Sequence, residues 1–109
     1  MSGDMRGPAD CRTKEDVRAE IDRLDRELIA LLAERFGYVR RMAEIKREPA
    51  EAHAQNRIDD VLDKVVAEAE AAGLDGGLIR AMWRSLIEWN VEYERRAIAA
   101  RERGGRPAS

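Results

Sequence analysis

The chain has 109 residues, 44% of them hydrophobic and 39% charged, a length for one domain and a balance that excludes both wholesale disorder and a membrane span of about 20 apolar residues. Twenty Lys and Arg stand against 22 Asp and Glu, for a net charge of -2, so there is no global basic field for nucleic acid and any anion site must be local. The single cysteine forms no internal disulfide and the N-terminus lacks a basic-then-apolar leader, so a cytoplasmic protein is expected. Ala, Leu, Glu and Arg dominate over β-branched residues, which predicts an all-α fold.

Residues 1–12 carry two Gly and a Pro with no apolar period, and residues 104–109 read Gly-Gly-Arg-Pro-Ala-Ser; both are expected to be flexible ends of a helical domain over 13–103. Thr13 and Asp16 form a capping pair for a first helix. Its apolar residues Val17, Ile21, Leu24, Leu28, Leu31, Val39, Met42 and Ile45 recur at threes and fours or their sums. Nothing stops this helix before Pro49, so it runs for about 35 residues and roughly 50 Å. A monomer of this size cannot cover such a rod.

A second helix is predicted from about Asn56 to Ala72, with Ile58, Val61, Leu62, Val65, Val66 and Ala69 on one face and Gly73 after its C-cap. Asp75 is the expected N-cap of a third helix. Its apolar side holds Leu78, Ile79, Met82, Trp83, Leu86, Ile87, Val91 and Ile98, and it runs to about Arg101. The order is long, short, long, and the exposed stripe on the first helix predicts an intertwined helical homodimer with two-fold symmetry.

The informative residues break these stripes, because a charge on a buried face is costly without a partner. Arg35 occupies a position where the period asks for a hydrophobe, and Lys46 follows eleven residues later, within about 20° of the same direction and about 16 Å further along the axis. Two converging cations with no carboxylate between them favour an anion; the plainer alternative is that each snorkels toward a Glu of another helix. Asn90 and Glu94, one turn apart, extend the row of Trp83, Leu86 and Ile87 and face inward together. Joined with Arg35 and Lys46 they make a pocket for a small apolar dianion, unless Glu94 merely pairs with Arg57 or Lys46. Arg18 points about 100° away from Arg35 and lies some 25 Å from it, so it cannot easily serve the same pocket within one chain, although it could reach a pocket of a partner chain.

The stretch from Val17-Arg18-Ala19-Glu20-Ile21-Asp22-Arg23-Leu24-Asp25 to Leu31-Leu32-Ala33-Glu34-Arg35, with Lys46 eleven residues on, resembles the N-terminal signature of the AroQ-type chorismate mutases, and the resemblance extends over roughly Asp16 to Ala97. It implies an enzyme that rearranges chorismate to prephenate for Phe and Tyr biosynthesis without cofactor or metal. Arg35 would bind one carboxylate of chorismate and Arg18 of the partner chain the other, Lys46 would donate to the ether oxygen, and Arg57 would lie near the site. Asn90 would help hold a carboxylate, and Glu94 would meet the ether oxygen opposite the lysine.

Two features depart from the mutase pattern. Ile58 stands where a Glu often binds the ring hydroxyl, and the loop from Arg47 to Asn56 is about one residue shorter than in the best-known bacterial mutase domains. These, with Asp10-Cys11 ahead of the first arginine, resemble the isochorismate pyruvate lyases of salicylate synthesis, which however carry Gln where this chain has Glu94. The lyase is therefore the alternative function, and a non-catalytic helical dimer is a third. Outside this set, Cys11 reads as a spectator thiol, His53 as solvent-exposed, Trp83 as core and Trp89 as a dimer contact. Arg95, Arg96 and the charges from Arg101 to Arg106 read as a solvated helix end, not a nucleic-acid arm.

Overall fold

A computed structural model describes residues 7–104; residues 1–6 and 105–109 of the expected flexible ends lie outside the described residues. Three α-helices follow one another, α1 over Lys14–Ile45, α2 over Gln55–Ala71 and α3 over Gly76–Arg103, with short 3-10 turns at Pro8–Asp10 and Pro49–Ala52. The all-α order of long, short and long is the one expected, and no strand occurs among the described residues. The chain divides into two compact units, one ending at Gly37 and the other beginning at Tyr38.

In the first unit, α1 starts on a reciprocal cap. The Asp16 amide donates to Thr13 Oγ1 at 3.0 Å, and the Asp16 carboxylate accepts from the amides of Thr13 at 3.3 Å and Arg12 at 2.9 Å, which occupies donors that a helix start leaves open. Arg23 braces the next turns against Glu20 and Glu27, at 3.0 and 2.9 Å. No residue from Gly7 to Gly37 is buried. The large aliphatic side chains of this stretch of α1 stay open, from 42% at Leu32 to 65% at Ile29. The expected homodimer is not visible in a single chain.

The second unit holds the core. Leu62 of α2 and Ile98 of α3 are sealed, at 1% and 0% exposure, with Ala69, Ile79 and Ile87 around them, Ala52 from the 3-10 turn and Ala43 from the last turns of α1. Small residues at 43 and 52 let backbone approach backbone where the α1 end and the turn meet α3. Between α2 and α3 the chain reverses at Gly73, whose φ of 87° is open to glycine. The amides of Gly73 and Leu74 close back on the carbonyls of Glu70 and Ala69, at 3.1 and 2.8 Å, the double bond pattern of a Schellman ending. Asp75 then caps α3 as expected, accepting from the amides of Gly77 and Leu78 at 2.6 and 3.1 Å.

The end of α1 differs from the expectation. The helix stops at Ile45 rather than running up to Pro49, and Glu48 is extended, at φ -120° and ψ 140°, as the residue before a proline prefers. The Glu48 amide turns to the Glu51 carboxylate at 3.2 Å. The carbonyls this leaves at the helix end are taken from across the fold by Arg101.

Candidate functional site

Lys46 follows the last residue of α1, and its amide still makes the helical bond to the Met42 carbonyl at 2.9 Å. Its side chain is therefore aimed by the helix even though its carbonyl is not. The ammonium meets Glu94 of α3, with Nζ 2.8 Å from Oε1 and the two side chains 20% and 10% exposed. At that burial water screens the pair weakly, and a charge-assisted bond of this length is among the stronger polar contacts a protein makes. Of the two pairings open to Glu94 from the sequence, with Arg57 or with Lys46, the second is realised.

Asn90 lies one turn before Glu94 on the same helix. The two are the buried polar residues among those described, at 7% exposure each, so the inward orientation expected from their place in the apolar row holds. No buried side-chain nitrogen or oxygen lacks a partner among the described residues. The arrangement thus sets a cation against a carboxylate, with an amide one turn away, on a helix whose Ile87 and Ile98 are also buried.

Ile58, Ile87 and Val91 line a groove of about 150 Å³, with His53, Arg84 and Glu88 among its other lining residues; Lys46, Asn90 and Glu94 do not line it. Ile58 is half-buried there and gives the groove an apolar side. His53 is exposed, Trp83 is half-buried, and Trp89 is 62% exposed with its ring stacked on Tyr93 at 6.1 Å between centroids.

The remaining expected cations are placed as follows. Arg57 is exposed in the first turn of α2. Arg18 is exposed and Arg35 half-buried, both on α1 in the first unit. The structure brings together Lys46, Glu94 and Asn90 in the second unit.

The sequence reading missed Arg101, which it placed in a solvated helix end. Arg101 is exposed, yet its guanidinium donates to the carbonyls of Ala43 at 2.9 Å, Glu44 at 3.4 Å and Lys46 at 2.6 Å. No local signal announces such a contact, since acceptor and donor are 55 or more positions apart. Among the described residues no group of three or more His, Cys, Asp or Glu is placed to hold a metal ion, and no helix is long and apolar enough to cross a membrane.

Comparison with known proteins supplies a frame for this geometry. Residues 17–95 match the family described as chorismate mutase type II, a span that contains Arg18, Arg35, Lys46, Arg57, Asn90 and Glu94. The chain is 30% identical over 87 residues to an isochorismate pyruvate lyase of Pseudomonas aeruginosa, an alignment that covers 80% of this chain and 86% of that protein. It is 38% identical over 81 residues to the T-protein of Haemophilus influenzae, which covers 73% of this chain and 22% of that longer protein.

Proposed function

The chain belongs to the chorismate mutase type II family, and from that premise we propose that it is a chorismate mutase, converting chorismate to prephenate in aromatic amino acid biosynthesis. The observation that carries the reading is the Lys46–Glu94 pair at 2.8 Å, its side chains 20% and 10% exposed, with the buried Asn90 one turn away. Buried charge is costly and seldom improves stability over a hydrophobic replacement, so its presence points to use.

In this rearrangement one C–O bond breaks and one C–C bond forms within a single molecule, so no nucleophile, redox partner or cofactor is called for. The protein's tasks are to hold the substrate in its folded reactive shape and to stabilise negative charge as it grows on the ether oxygen. Lys46 donates to that oxygen. Arg35 binds one carboxylate, Arg18 of the partner subunit binds the other, and Arg57 and Asn90 help fix them.

Glu94 faces the same oxygen from the other side. In the resting pair its carboxylate accepts from Lys46, and an ether oxygen held between both groups would need them about 4.5–5.5 Å apart. Substrate therefore opens the pair.

The homodimer belongs to the same proposal. Val17, Ile21, Leu24, Leu28 and Leu31 are all 44% exposed or more, and covering the open half of each such side chain contributes roughly 1 kcal/mol. A helix with no buried residue over its first two dozen positions is marginal by itself in water. A second copy of the same helix supplies the missing cover and brings an Arg18 with it.

A second reading, as an isochorismate pyruvate lyase, is favoured by the name and coverage of the Pseudomonas relative and by the apolar Ile58. There the same C–O bond breaks while a ring hydrogen passes to the departing three-carbon side chain, giving salicylate and pyruvate. The test of the first reading is turnover of chorismate by the purified protein with prephenate as product, and a fall in kcat of about a hundredfold in Lys46→Met, the usual cost of losing one such donor.

A further inference from the structure

The last carbonyls of a helix have no partners of their own and are commonly met by water, by a cap or by a nearby basic side chain. In α1 no basic residue lies in the last turn. Pro49 has no amide to offer, and the Glu48 amide is engaged by Glu51. Arg101 fills the gap from α3. Nη1 donates to Ala43 and Glu44 and Nη2 to Lys46, the last at 2.6 Å, and its positive charge complements the negative end of the helix dipole.

Arg101 and Glu94 are seven residues apart on α3, two turns with a drift of about 20°, and so share one face of that helix. Ile98, fully buried between them, anchors that face. One helix therefore grips Lys46 at both ends, its carbonyl through Arg101 and its ammonium through Glu94. When substrate opens the Lys46–Glu94 pair, the Arg101 contact is the one of the two that remains.

We infer that Arg101 is a positioning residue for Lys46, holding the backbone of that residue so that the ammonium stays aimed at the reacting oxygen after it leaves Glu94. This rests on the function proposed above. It requires the guanidinium fork and not just its charge, because an ammonium cannot reach carbonyls in two directions with fixed geometry.

The experiment compares Arg101→Met and Arg101→Lys with the unaltered chain, and Arg101→Met again within Lys46→Met. A misplacement of about 1 Å in a reacting group costs up to a hundredfold, so Arg101→Met is expected to lower kcat ten- to a hundredfold with KM changed less than threefold. Arg101→Lys is expected to recover melting temperature but not kcat, whereas a merely structural contact would recover both. Within Lys46→Met, the Arg101→Met change is expected to lower kcat by less than twofold, the non-additivity of two residues acting as a unit.

A readout independent of substrate is amide hydrogen exchange at Lys46, whose bond to Met42 is expected to open at least tenfold more often in Arg101→Lys. Unchanged exchange, unchanged kcat, or full additivity with Lys46→Met would each overturn the inference. If Lys46→Met itself left turnover intact, the proposed reaction would fail while the exchange result still decided the positioning role.

Discussion

Replacing Lys46 with Met keeps most of the aliphatic stem and removes an ammonium 2.8 Å from Glu94 Oε1. It leaves a carboxylate on a residue only 7% exposed. Removing one partner of a buried pair costs about 3–5 kcal/mol when burial is complete, and a hydrogen bond to a charged group is worth about 1.5–3 kcal/mol. Side-chain exposures of 20% and 10% let some water in, which puts the expected loss at about 2–3 kcal/mol, or a fall in melting temperature of roughly 8–24 °C for a domain near this size. Removing the second charge as well, in Lys46→Met with Glu94→Leu, should bring stability back to within about 1 kcal/mol of the original, since the stranded carboxylate is gone. Turnover should fall about a hundredfold in Lys46→Met and stay at least that low in the double variant. Urea unfolding of the four members of this cycle, at one fixed protein concentration because association contributes to stability, yields the coupling directly. A loss under about 0.5 kcal/mol in Lys46→Met, or no recovery in the double variant, would refute the argument that burial makes this pair costly to break.

Other outcomes follow from the same geometry. Glu94→Gln keeps an acceptor for Lys46 and presents an N–H donor to the reacting oxygen in place of a carboxylate, so kcat should be held or raised; a fall of tenfold or more would show that Glu94 does not face that oxygen. Asp75→Ala deprives the amides of Gly77 and Leu78 of their acceptor and should cost about 1 kcal/mol in denaturant unfolding. Glu92 is held below its ordinary value of 4.5 by hydrogen bonds from Arg95 and then Arg96. A carboxylate lowered in the folded state contributes stability that is present above its unfolded value and lost as pH falls through the folded one, so Glu92→Gln should make the acid limb of the stability curve shallower.

The helices were legible because their signals are local. Apolar residues at threes and fours, the Thr13–Asp16 pair, Gly73 and Asp75 all act within one or two turns, and each is found at its expected task. The inward turn of Asn90 and Glu94 was legible for the same reason, from their place in a hydrophobic row. The stop of α1 was not. Pro49 marks where a helix cannot continue, but α1 already ends at Ile45 and its last carbonyls are met by Arg101, a residue far along the chain whose local surroundings read as a charged helix tail. The Lys46–Glu94 contact joins positions 48 apart, so the sequence offered Glu94 two partners with no means of choosing between them. The uncovered stripe of α1 was legible as a need for cover, because its period is regular and the helix too long to be wrapped by so short a chain.

The most direct measurement offers the purified protein chorismate and isochorismate separately and quantifies prephenate, salicylate and pyruvate, with kcat/KM for each substrate. A mutase gives prephenate from chorismate with the higher kcat/KM and little salicylate from isochorismate, and that is the result expected here. Salicylate and pyruvate formed from isochorismate with the higher kcat/KM, and prephenate only weakly, would contradict the account and make Glu94 a departure within a lyase site.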